Sequence, residues 1–75
     1  MKSVSVNTAN CSHGKLVRLA KRCGFAIVEG KKHSKINTTR GEFVTMVPRH
    51  EVLNRHTTKG ILEGMNAHGA MIIIV

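Results

Sequence analysis

At Gly24 the apolar pattern of this chain changes period, and that change constrains the fold more than any other feature. Before it, Leu16, Leu19, Ala20 and Cys23 recur at i, i+3, i+4 and i+7, the spacing of one helical face. Lys15, Arg18 and Arg22 fall on the opposite face. Ser12 is placed to cap the start of this helix and Gly24 to stop its end. After Gly24 the pattern is that of strands. Phe25-Ala26-Ile27-Val28 is a short apolar run, and Gly30-Lys31-Lys32 makes a turn into a second strand over residues 33–38. Thr39-Arg40-Gly41 is a hairpin turn, with Gly41 free to take positive φ.

A third strand follows over residues 42–47 and ends at Pro48. We assign Phe43 and Val47 to one of its faces and Val44 and Met46 to the other. Both faces are then apolar, so the second needs a cover: the C-terminal tail, another copy of the chain, or a partner. Residues 49–56 read as a basic loop and residues 57–66 as a second helix, with Ile61, Leu62 and Met65 apolar. Gly60 and Gly64 are poor helix formers, and close approach of this helix to a sheet would account for them. Residues 1–11 carry a weak Ser-Val-Ser-Val alternation, either a loose lead-in or a short extra strand. Residues 70–75 form an extra strand or an exposed sticky end. The order helix, meander, helix predicts an α+β sandwich of two layers, α-β-β-β-α. Its sheet is antiparallel and three-stranded, with both helices on one face.

Seventy-five residues make a single domain spanning 1–75, near the small end of what folds without staples. Twelve basic residues against four acidic ones give a net charge of +8, which favours an anionic partner. No apolar run approaches the length of a membrane span, and the first residues lack the apolar core of a signal peptide. The expected location is the cytoplasm. Cys23 reads as a small buried hydrophobe and Cys11 as part of a polar stretch, with no CxxC spacing between them. No two of the five histidines pair at i, i+4, and only four carboxylates could assist them, so neither a metal site nor a cofactor is expected.

Side chains alternate along a strand. With Ile36 facing the core, Ser34 faces the core as well, while His33 and Lys35 face solvent. A histidine among Lys31, Lys32 and Lys35 suits a phosphodiester, although a solvated basic strand edge is the plainer reading of these residues alone. RNA carries its own nucleophile, the 2′-OH. A ribonuclease therefore needs only a base, an acid and cations for the developing charge. Histidine suits the base because its unperturbed pKa is near 6.5. Lys31, Lys32, Lys35, Arg49 and His50 are candidate RNA contacts; His50 and Lys35 are candidates for the acid. His13, His56 and His68 read as surface residues. With two phenylalanines and no other aromatic residue, a base-stacking platform is not expected, and RNA binding should rest on electrostatics and backbone shape.

The helix running into Gly24-Phe25, the Gly30-Lys31-Lys32-His33 turn, the Val47-Pro48-Arg49-His50 end of the third strand and the Thr-led last helix together resemble the HicA toxin family, over roughly residues 15–66. The family commonly has Gly-Ser-His, where here Lys31 and Lys32 separate Gly30 from His33. The resemblance implies a fold similar to double-stranded-RNA-binding domains and endoribonuclease (mRNA interferase) activity. It also implies a catalytic His33 and neutralisation by an acidic HicB-type antitoxin. The alternative function is a non-catalytic RNA-binding module of the same fold, and a homodimer is left open.

Overall fold

The computed structural model describes residues 3–75. Its elements in order are β1 (Val4–Val6), α1 (His13–Arg22), β2 (Ala26–Glu29), β3 (His33–Asn37), β4 (Phe43–Pro48), α2 (Arg55–Ala67) and β5 (Ile72–Ile74). The expected α-β-β-β-α unit is present, an antiparallel sheet in the order β2-β3-β4 with two helices. Both ends of the chain add to it, because β1 and β5 pair in parallel as a second, two-stranded sheet. The lead-in and the tail are therefore strands, each completing the other.

Local chemistry sets the helix ends. The Ser12 side chain accepts a hydrogen bond from the Lys15 amide and caps α1. Gly24, at φ +89°, turns the chain out of that helix. α2 begins two residues earlier than residue 57, because Asn54 caps it through the His56 amide. Arg55 and His56 accordingly lie on the helix rather than in a basic loop. Gly41, at φ +91°, closes the β3–β4 turn with its amide donating to the Thr38 carbonyl at 2.9 Å.

The sheet is one-sided. Ser34, Ile36 and Val47 are fully buried beneath the helices, together with Leu16, Ala20, Leu62 and Met65. The opposite face is open: Val28, Lys35 and Met46 stand in one cross-strand row, all exposed. The face assignment for the third strand needs correction. A register shift opposite Ile36 and Asn37 leaves Val44 unpaired in the ladder, a β-bulge. Past the bulge, Thr45 and Val47 turn inward. Val44 packs half-buried against the core, while Phe43 and Met46 are both exposed.

The two glycines of α2 also differ from expectation. A methyl at Gly64 would meet the Thr45 Cβ at 3.6 Å, an ordinary contact, and one at Gly60 would meet nothing within 4 Å. The helix lies over β4, but its packing requires neither glycine. Cys11, placed in a polar stretch by the sequence, is fully buried with its thiol donating to the Asn7 carbonyl at 3.0 Å.

The Cα envelope measures 30 × 29 × 16 Å, a thickness that admits two layers. The β1–β5 pair therefore lies beside the helices. β5 packs on α2, where the Asn66 side chain bonds the backbone of Ile72, and β1 faces α1 across a groove. The helix layer runs α1, β1, β5, α2. No helix among the described residues is long and apolar enough to cross a membrane.

Candidate functional site

The β2–β3 hairpin carries the residues singled out by the sequence. Glu29 pairs with Ser34 across the ladder, and the Gly30 amide donates to the His33 carbonyl at 3.0 Å. Only Lys31 and Lys32 remain in the turn, both exposed. A Cβ at position 30 would stand 2.7 Å from the His33 carbonyl oxygen, so glycine is what lets the turn close this tightly. His33 is the first residue of β3, half-buried on the open face and opposite Pro48. Lys35 follows on the same face, one pleat away.

Arg49 lies behind this turn. Its side chain donates to the Gly30 carbonyl through Nε at 3.2 Å and Nη2 at 2.9 Å, and it pairs with the Glu29 carboxylate. Its own amide reaches the Lys32 carbonyl at 3.4 Å. The guanidinium is thus committed to holding the hairpin, with less of it free for a phosphate than the sequence alone suggested. His50 is exposed, and its carbonyl accepts from the His13 amide at 3.3 Å, which ties the end of β4 to the start of α1.

Beneath the turn runs a polar chain that sequence reasoning missed. His13 Nε2 lies 2.7 Å from the Ser34 hydroxyl, and that hydroxyl donates to Glu29 at 2.9 Å. The bond from Ser34 holds the Glu29 carboxyl below its ordinary value, Arg49 adds to the effect, and burial opposes it. An ionised carboxylate only accepts. The single Ser34 proton therefore goes to Glu29, and His13 Nε2 must be a donor. Serine, histidine and glutamate recur in hydrolase triads, but here the histidine cannot take the serine proton and Ser34 is fully buried. The cluster is a brace. His13 is accordingly half-buried and bonded rather than a plain surface residue. The signal was present in the alternation that put Ser34 beside Ile36: a buried hydroxyl requires partners.

The face so built offers an imidazole and the ammonium groups of Lys31, Lys32 and Lys35, with exposed Val28 on one side of Lys35 and exposed Met46 and Phe43 on the other. Among the described residues no three His, Cys, Asp or Glu side chains converge as a metal site would require. Both cysteines are free, and burial pushes the Cys23 thiol up against the opposing effect of Arg22. Compared with family models, curated proteins and solved structures, the chain matches none.

Proposed function

We propose that this chain is a cytoplasmic endoribonuclease toxin of HicA type, which cleaves mRNA without a metal. The observation that supports this reading is the placement of His33. It stands at the root of a glycine-tightened turn bearing two exposed lysines, on the same open face as Lys35. Bound there, the RNA 2′-hydroxyl gives its proton to His33 and its oxygen attacks the adjacent phosphorus. The P–O5′ bond breaks and the leaving 5′-oxygen takes a proton from solvent, giving a 2′,3′-cyclic phosphate and a 5′-hydroxyl. Lys31, Lys32 and Lys35 hold the phosphate and offset the charge that develops on it. An acidic HicB-type antitoxin covers the open face, drawn by its charge and seated on Val28, Met46 and Phe43.

A second reading, a non-catalytic RNA-binding module, draws on one observation. Among the described residues no side chain bonds the His33 ring, whereas a general base is commonly held in place by a neighbour. Incubation of the purified chain with RNA in EDTA separates the two. Cleavage by the wild type and none by His33→Ala, at similar RNA affinity, supports the enzyme. Binding without cleavage in both proteins supports the module, and cleavage by His33→Ala removes His33 from the chemistry.

A further inference from the structure

The helix layer has a gap in it. Between α1 and β1 lies a groove of about 530 Å³, within the range of cavities that hold ligands. One wall carries Lys15, Arg18 and Arg22 of α1. None of the four acidic residues of the chain, Glu29, Glu42, Glu51 and Glu63, lies on α1 or β1. The other wall is the backbone of β1. In a parallel ladder, alternate residues turn their N–H and C=O groups toward a given neighbour. Val4 and Val6 turn theirs to β5: the Val4 amide donates to Met71 at 3.1 Å, and the Val6 carbonyl accepts from Val75 at 2.9 Å. Ser5 between them turns both groups to the groove. Buried Leu19 and Val6 contribute the apolar part of its lining.

We infer that this groove receives an extended acidic segment of a partner protein, added as a strand to the free edge of β1. Its backbone pairs with Ser5, and its carboxylates, all on one face of the added strand, are met by the long side chains of Arg18 and Arg22 reaching over from α1. The spacings agree. Arg18 and Arg22 are about 6 Å apart along the helix axis, and alternate residues of a strand are about 6.6 Å apart. A segment with acidic residues at i and i+2 therefore meets both guanidiniums. A second copy of this chain is a poor occupant, since at net +8 it would bring more positive charge to a basic wall. RNA fits less well than peptide, because a phosphate would meet the Ser5 carbonyl as well as its amide.

The inference does not depend on RNA cleavage. The groove lies in the helix layer, and His33 on the open sheet face. The test uses the full chain, isotopically labelled, and a blocked peptide alternating Glu and Val, with the Lys-for-Glu peptide and a uridine oligonucleotide as comparisons. The Glu peptide is expected to move the Ser5 and Asn7 amide signals and to slow Ser5 amide exchange, while the Lys peptide does neither. Ser5→Pro removes the edge donor and leaves the bonds of Val4 and Val6 to β5 in place. It should weaken the Glu peptide about tenfold. The double variant Arg18→Ala, Arg22→Ala, at two exposed helix positions, should weaken it at least as much and serves as the test if Ser5→Pro disturbs β1. Undiminished binding by the folded Ser5→Pro chain or by the double variant would overturn the inference. So would groove signals that respond to the oligonucleotide and not to the Glu peptide.

Discussion

Arg49 donates two hydrogen bonds to the carbonyl oxygen of Gly30, at 3.2 and 2.9 Å, from the far end of the neighbouring hairpin. A residue just beyond β4 thereby fixes the turn before β3, and that turn carries Lys31 and Lys32 to the root of His33. If Arg49 acts chiefly through this contact, Arg49→Lys should behave like a loss, because a single ammonium cannot serve both Gly30 and Glu29 in the same geometry. The amides of Gly30 and Lys32 are expected to exchange faster in Arg49→Lys, with RNA affinity falling less than in Lys35→Ala. A larger fall for Arg49→Lys would make Arg49 a direct phosphate ligand.

Gly30→Ala should destabilise the fold by roughly 1–3 kcal/mol, since its Cβ meets backbone that cannot swing aside. Gly60→Ala supplies the contrast. With nothing near the new methyl, it should stabilise α2 by about 1 kcal/mol. Urea unfolding of both variants checks the pair, and equal effects would mean that the Gly30 turn is looser than described.

The brace beneath the turn gives stability a pH dependence with a defined sign. Glu29 has a folded pKa below its ordinary value of 4.5, through the Ser34 bond first and Arg49 after it. Its contribution is therefore fully present above that value and is lost as pH falls through the lower folded one. Ser34→Ala should flatten this acid-side dependence. It should also cost about 1–3 kcal/mol at neutral pH, because the His13 donor then loses its buried acceptor. Melting temperature followed from pH 7 to pH 3 in both proteins would show it.

The exposed apolar side chains of the open face should govern partner binding rather than folding. Met46 is 42% exposed, so Met46→Asp should change stability by no more than about 0.5 kcal/mol. It should nevertheless weaken capture of the acidic partner proposed for this face. An unchanged complex would place the antitoxin elsewhere on the molecule.

RNA affinity should fall steeply with salt, and each phosphate contact removed at Lys31, Lys32 or Lys35 should reduce the logarithmic slope by about 0.7. A slope that none of the three substitutions alters would dissociate RNA binding from this face.

The meander and the first helix were legible because the signals there are local. The i, i+3, i+4, i+7 face of α1, its Ser12 cap and the glycines at 24 and 41 each act within a few residues. The side of β3 on which His33 and Lys35 stand followed from Ile36 alone. What stayed hidden depends on distant partners. Ser-Val-Ser-Val and Ile-Ile-Ile are each too short to declare a strand, and only their pairing across the whole chain makes them one. The bulge at Val44 inverted half of the face assignment, since one extra residue in a strand moves every side chain on one side of it. His13 looked like a surface residue because its acceptor lies in another element. Arg49 looked free because the sequence gives no sign of the carbonyl it reaches.

The parallel β1–β5 pair also has a bearing on the order in which the molecule assembles. Thr8 and Val75, 67 positions apart, are joined across it, so β1 leaves the ribosome well before the strand it pairs with. Meanwhile the meander and α1 can close on each other, because their contacts lie within a short span. α2 is the next to dock. The edge of β1 that faces β5 therefore stays unpaired while every element between them is made, and β5 acts as a latch.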